Sequence, residues 1–253
     1  MIILKILLSL LLYLGIPTLL VLIVPGLGPV TATGLGELIA LPFLLFLYEK
    51  EQRRRQHFTY APRFLKDKAP LLVIALGAAS CIGLNGLLTL SRLDLLFPAF
   101  SQEVAAELYA PPLPLQLLFL VFIIPPVEEL VFRGTIFALI RERFSWMTAA
   151  AVSSLLFALF HGNVVQGIYA LCLGFLCAWL YEKIHGLYAS LVLHMSANLV
   201  SVIISALTGS LEFLNSLPAQ LILTLLALGG AIWCIGRLKR LTEPRAYRIF
   251  HLF

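Results

Sequence analysis

The sequence predicts an all-α protein that crosses a membrane about eight times. Of its 253 residues, 60% are hydrophobic and 12% are charged, whereas soluble domains are roughly 45–50% apolar and about 25% charged. The mean hydropathy is +0.98, and lipid offers no partners for backbone hydrogen bonds, so apolar runs of about 20 residues favour membrane helices. The same composition excludes a water-soluble fold and an intrinsically disordered chain.

Eight apolar stretches are candidates for the membrane spans. They cover residues 2–24, 30–48, 69–90, 112–140, 145–161, 164–181, 186–207 and 217–236. The first stretch is too long for a removed signal peptide and has no A-x-A cleavage site. The fourth is longer than one perpendicular crossing, and the fifth and sixth are short, so we expect tilt or local thinning of the bilayer. No internal repeat divides the chain, and we expect a single membrane domain over residues 1–253.

The basic residues predict the orientation of these spans. Of the 18 lysines and arginines, seven lie in the loop between the second and third spans and five in the tail: Lys50, Arg53, Arg54, Arg55, Arg63, Lys66, Lys68, Arg237, Lys239, Arg240, Arg245 and Arg248. With eight crossings, Arg141, Arg143 and Lys183 share that side, and Arg92 falls opposite. The positive-inside rule then places both termini in the cytoplasm. Because the basic residues lie between apolar spans, we expect contact with lipid headgroups and no nucleic-acid partner.

Several other features predict structure rather than chemistry. The four cysteines show no CxxC spacing and lie in apolar stretches, so no disulfide framework is indicated. Glycines 83 and 86, and glycines 229 and 230, predict close helix packing. The loop at 91–111 is a candidate for an amphipathic interfacial helix. Solitary polar residues are expected to be structural or to lie in loops: Glu37, Asn85, Glu212, His57, His185 and His251.

Three short patterns break the apolar spans. An ionisable residue at membrane depth costs at least about 2.5–3.5 kcal/mol on insertion scales, so such residues indicate function. The fourth span reads PPVEELVFRG, the fifth ends in FALFHGN, and the seventh contains LHMSANL. The polar residues and the aromatic residue of interest are Glu128, Glu129, Arg133, Phe157, His161, His194 and Asn198.

Helical spacing separates a predicted ion pair from the residues that are candidates for chemistry. Glu129 and Arg133 are four residues apart and can form a buried ion pair. Glu128 is rotated by about 100° from Glu129, so it has no such partner and is a candidate for chemistry. Measured from the cytoplasmic span ends, Glu128, His161 and His194 lie roughly 18, 24 and 12 Å deep. These depths bracket the midplane and permit one polar cavity inside the bundle.

The residue types fit the hydrolysis of a peptide bond by water. Such a reaction needs a base, a group that holds the water and donors for the oxyanion. The candidates are Glu128 as base, His161 as orienter, and His194 with Asn198 as donors, next to the Glu129–Arg133 pair. An alternative is a zinc site made of Glu128, His161 and His194. Since no HExxH pattern is present, we favour metal-free hydrolysis without a cofactor.

In order, the motifs EExxxR, FxxxH and HxxxN resemble those of the CPBP family, which contains CAAX prenyl endopeptidases and bacteriocin-processing proteins. The motifs lie between about residues 125 and 200, within a core of about 112–207. The resemblance implies an intramembrane endopeptidase whose first motif glutamate, here Glu128, activates water. It implies a membrane-associated substrate, either CAAX-like or a bacteriocin- or pheromone-like precursor, and it leaves zinc open.

Two other functions compete with proteolysis. The chain could be a non-enzymatic bacteriocin immunity or interaction protein that keeps the motif residues as a structural network. It could also be a proton-coupled transporter, which would be expected to show two related halves with broken helices. The compact loops and the lack of targeting features lead us to expect a bacterial plasma membrane protein.

Overall fold

The computed structural model describes residues 2–55, 68–98, 104–184, 186–207 and 216–242. Helices make up the fold of these residues. In chain order they are α1 (Ile2–Ile23), α2 (Pro29–Arg55), α3 (Ala69–Leu90), α4 (Leu93–Leu96), α5 (Ala105–Leu108), α6 (Leu113–Arg141), α7 (Trp146–Leu159), α8 (Val164–Ile184), α9 (Leu187–Leu207) and α10 (Leu217–Thr242). The predicted all-α polytopic fold is confirmed.

Seven helices are long and apolar enough to cross a membrane, namely α1, α2, α3, α6, α8, α9 and α10. The fifth predicted span is the exception, because α7 has only 14 residues and rises about 21 Å, less than the roughly 30 Å of a hydrocarbon core. Ser145 caps the start of α7 by accepting a hydrogen bond from the Thr148 amide at 3.1 Å. Beyond its other end, Gly162 has a φ of +72° and turns the chain back into α8.

Ion pairs gather several helix ends at one end of the bundle, which we call the basic end. Lys5 near the start of α1 pairs with Glu51 in the last turns of α2. Arg54 and Arg55 of α2 pair with Glu142, which directly follows α6. Arg141 at the end of α6 pairs with Glu182 at the end of α8. Partial burial acts to raise the pKa of Glu142, but hydrogen bonds from Arg55 and Arg54 outweigh it and lower the pKa below its ordinary value. Glu142 therefore stays ionised and holds α2 against the end of α6 at neutral pH.

Helix α6 forms the centre of the bundle and is the most buried of the seven spans. It contains two π-helical stretches, Leu117–Ile123 and Leu130–Phe137. A short α-helical segment, Ile124–Glu129, lies between them. Every residue from Leu130 to Leu139 is buried. The half of α6 that runs toward the basic end is therefore enclosed by protein on all sides.

Glycines allow α3 to approach its neighbours closely. A Cβ atom on Gly77 would lie 2.5 Å from the backbone oxygen of Leu193 on α9, and one on Gly83 would lie 3.0 Å from Leu228 on α10. Gly86 similarly faces Thr224, so the packing predicted for glycines 83 and 86 is confirmed. Close packing is not found at glycines 229 and 230, because a Cβ on Gly229 meets nothing and one on Gly230 makes only an ordinary contact.

The loop predicted at 91–111 contains two single-turn helices, α4 and α5. Some of the segments and residues that the sequence analysis singled out lie outside the described residues. These are most of the basic loop (56–67), the tail (243–253), and the side chains of Glu212, His57, His185 and His251.

We predict that Gly77→Ala lowers the melting temperature of the detergent-solubilised protein. The added methyl group meets a backbone oxygen that cannot rotate away, and overpacking of this kind costs about 1–3 kcal/mol. Gly229→Ala is the matched control on α10, where the Cβ meets open space and alanine is the better helix former. An unchanged melting temperature for Gly77→Ala would contradict the close α3–α9 contact.

Candidate active site

The predicted site residues converge on one cavity of about 600 Å³. Glu128 on α6, His161 after α7, and His194 and Asn198 on α9 all line it. Glu129 and Arg133 lie behind this wall and are completely buried. The structure thus brings together residues that are separated by up to 70 positions, an arrangement that the helical spacing and depth permitted.

A proline explains how α6 and α9 are joined at the cavity. The backbone N–H of Ile124 donates to the oxygen of Phe119, five residues earlier. The next residue in that pattern, Pro125, has no N–H, so the oxygen of Leu120 loses its helical donor. Asn198 replaces it by donating from Nδ2 to Leu120 O at 2.8 Å. Asn198 therefore closes a gap in the α6 backbone and keeps its second Nδ2 hydrogen for the cavity.

An ion pair stands behind the cavity wall. Arg133 Nη1 donates to Glu129 Oε1 at 2.9 Å, and neither side chain is exposed. The guanidinium lies 4.7 Å from the ring centre of Phe157, which adds a cation–π contact. Gly174 makes room for it, since a Cβ there would lie 2.7 Å from Arg133 Nη2. The helical i, i+4 pair predicted from the sequence is present and is packed on its far side by α8.

His194 links this ion pair to the cavity. Its Nδ1 lies 3.0 Å from Glu129 Oε1. A carboxylate paired with arginine can only accept a hydrogen bond, so Nδ1 carries the proton and donates. The other ring nitrogen, Nε2, faces Glu128 Oε2 at 3.6 Å. Glu129 thus fixes the tautomer and the direction of the ring that meets Glu128.

Glu128 is held from two sides. The hydroxyl of Tyr13 on α1 donates to Glu128 Oε1 at 3.1 Å, while Oε2 faces His194. Glu128 is 6% exposed, and this small exposed part faces the cavity it lines. One carboxylate oxygen is therefore fixed by a neutral donor, and the carboxylate remains accessible to a small molecule in the cavity.

His161 is oriented in a similar way. Its Nδ1 lies 2.8 Å from the backbone oxygen of Phe157, one helical turn earlier, and because a carbonyl only accepts, Nδ1 donates. The ring also contacts Phe157 edge-on, with centres 4.7 Å apart. This leaves Nε2 of His161 as the nitrogen available for a water or a substrate. The FxxxH spacing therefore has a local structural cause.

Sequence reasoning missed Tyr13, which carries no spacing relation to the motifs and lies in an ordinary apolar helix. Glu37 on α2, which we expected to be structural, is completely buried and is not among the residues that line the cavity. Neither of its carboxyl oxygens has a hydrogen-bond partner among the described residues. An isolated residue such as Tyr13 becomes recognisable only once the packing of α1 against α6 is known.

The potential metal ligands do not form the set expected from the sequence. Among the described residues, one group of three has ligand atoms within 4.8 Å of one another, namely Glu129, Cys177 and His194. Glu128 and His161 are not in it. A zinc ion on Glu129 would compete with the guanidinium of Arg133, which already binds this carboxylate. This group of three therefore does not fit zinc, and we derive no step through a metal.

Comparison with known families supports a proteolytic site. Residues 110–200 match the family model described as Type II CAAX prenyl endopeptidase Rce1-like, which confirms the resemblance drawn from the three motifs. The match supports an intramembrane endopeptidase of the CAAX type. It covers α6 to most of α9, and thus all three motifs. No curated protein and no solved structure matches the chain.

We predict that Arg133→Ala lowers expression and melting temperature as well as activity. The change leaves Glu129 as a buried carboxylate without its ion-pair partner, and breaking a buried pair costs about 3–5 kcal/mol. Arg141→Ala is the control, because Arg141 pairs with Glu182 at the exposed basic end and such pairs contribute about 0–1 kcal/mol. A stable but inactive Arg133→Ala protein would instead indicate a direct role in substrate binding.

Proposed function

We propose that the chain is an intramembrane endopeptidase that cleaves a membrane-associated peptide or protein with a water activated by Glu128. The observation that carries the proposal is the position of Glu128 on the cavity wall, held by Tyr13 and facing His194. The family match supports the reaction class, and the substrate and the role of each residue are proposed here.

The proposed reaction has two steps. The Glu128 carboxylate takes a proton from a water held by Nε2 of His161, and the water oxygen attacks the carbonyl carbon of the scissile bond. The tetrahedral intermediate then collapses, the C–N bond breaks, and Glu128 passes the proton to the leaving amine. The carboxylate is thereby regenerated, and no other reactant is consumed.

The developing oxyanion needs hydrogen-bond donors inside the cavity. Asn198 can use the Nδ2 hydrogen that Leu120 leaves free. His194 can donate from Nε2 only when this nitrogen also carries a proton, and the ring would then lie between the carboxylates of Glu128 and Glu129. We therefore assign Asn198 as the constant donor and His194 as the donor in its doubly protonated form.

We also propose a bacterial plasma membrane location with both termini in the cytoplasm. The ion pairs of the basic end place the start of α1 on the same side as the end of α2. Helix α10 packs antiparallel to α3, with Gly83 against Leu228 and Gly86 against Thr224, so its C-terminal lysine and arginines also lie at that end. The positive-inside rule then supports a cytoplasmic basic end.

We predict that Glu128→Gln and His161→Ala each abolish proteolysis while the melting temperature stays close to that of the wild type. Both residues act on the water, and glutamine keeps the shape and the hydrogen bond from Tyr13. Comparative peptidomics of membranes containing wild-type or variant protein measures the loss of products. Glu182→Gln, at the basic end, is the matched glutamate control and should leave the products unchanged; full activity of either site variant would refute the assigned roles.

We predict that metal-depleted protein remains active. If zinc carried the water, exhaustive chelation would remove activity, zinc would restore it, and active protein would contain about one equivalent. Since a buried ion can exchange slowly, elemental analysis must be made on the same active sample. Stoichiometric zinc in that sample would overturn the metal-free mechanism.

A further inference from the structure

The cavity occupies only the half of the bundle that lies away from the basic end. Helix α2 ends at the basic end with Arg55, and its contribution to the cavity comes from its first residues, Pro29, Val30 and Thr33. Helix α3 contributes from its opposite end, with Asn85, Leu88 and Thr89. The residues from α8 likewise belong to its first half, far from Lys183.

The mouth of the cavity lies at the end of the bundle opposite the basic end. Three residues line the cavity and are exposed. Pro29 lies in the first turn of α2, Thr89 in the last turn of α3, and Glu107 in the short connecting helix α5. The floor is formed by buried residues, including Tyr13, Glu128 and His194. Among the described residues, the cavity therefore opens to the surface at the end of the bundle opposite the basic end.

The path from the floor to the basic end is filled with side chains. Phe132, Arg133 and Ile136 of α6 are 0% exposed. Closer to the basic end, Phe137 packs in a buried cluster with Ala149 and Ala150 of α7. A peptide could reach Glu128 from this side only if the core of the bundle were displaced.

We infer that the substrates of the proposed peptidase present their scissile bond from the extracytoplasmic side of the membrane. This inference rests on the proposed function and on the cytoplasmic assignment of the basic end. The occupant of the cavity is then an extended peptide segment that is exported or emerges from the outer leaflet. The cavity that holds Glu128 is also lined by the apolar side chains of Leu120, Ile124, Phe157 and Leu173, so the substrate side chains that enter it are apolar.

Cysteine accessibility tests the side of entry without requiring activity. In a background that carries Cys172→Ala, which removes the exposed native cysteine, Thr89→Cys and Thr33→Cys place a thiol at the mouth and on the wall of the cavity. Phe144→Cys places one at the basic end, where Phe144 is 59% exposed. A membrane-impermeant thiol reagent applied to intact cells should label the first two variants and should label Phe144→Cys only after permeabilisation. Labelling in the reverse pattern would overturn the inference.

Mapping of cleaved bonds tests the substrate itself. Peptides that are present with the wild type and absent with Glu128→Gln should derive from extracytoplasmic segments and be recovered outside the cytoplasm. Products that derive from cytoplasmic segments would overturn the inference and leave the proposed peptidase intact. Identical peptides from both proteins would overturn the proposed peptidase itself and the substrate class with it, whatever the labelling pattern.

Discussion

The site depends on one interaction, the ion pair between Glu129 and Arg133 at the centre of an apolar bundle. Taking two charges out of water is expensive, and one hydrogen bond joins this pair, while Glu129 Oε2, Arg133 Nε and Arg133 Nη2 have no hydrogen-bond partner among the described residues. Phe157 supplies a π face and His194 a second hydrogen-bond donor to Glu129. The same contacts fix the ring of His194, so the stability of the α6 core and the direction of a site residue have a common cause.

This pair also separates the two halves of α6. Toward the basic end the helix is buried at every residue from Leu130 to Leu139. Toward the other end, Pro125 leaves the oxygen of Leu120 without a helical donor, and an amide from α9 satisfies it. Glu128 stands at this boundary, next to a solid core on one side and a cavity on the other. At this position the carboxylate is held by Tyr13 and also faces the cavity.

The sequence predicted the helical fold and the contacts within each motif because both follow from short-range periodicity, whereas it only permitted the convergence of the three motifs on one cavity. Glu129 and Arg133 pair across one helical turn, and the contact of His161 with Phe157 is also local. The π-helical stretches of α6 were not predictable, since they depend on how neighbouring helices fill space around it. Neither was the contact of Tyr13 with Glu128, because a residue in a separate helix can be assigned to a site only when the register between helices is known.

Tyr13 shows that the matched segment is not the whole site. It lies on α1, outside residues 110–200, yet its hydroxyl holds one oxygen of Glu128. Glu37 on α2 also lies outside that segment, and its buried carboxyl group has no hydrogen-bond partner among the described residues. Burying such a group costs free energy. The motif helices α6 to α9 supply the proposed reacting groups, whereas α1 supplies a contact to the proposed base. Proteins with identical motifs can therefore differ in how their glutamate behaves, through helices that carry no motif at all.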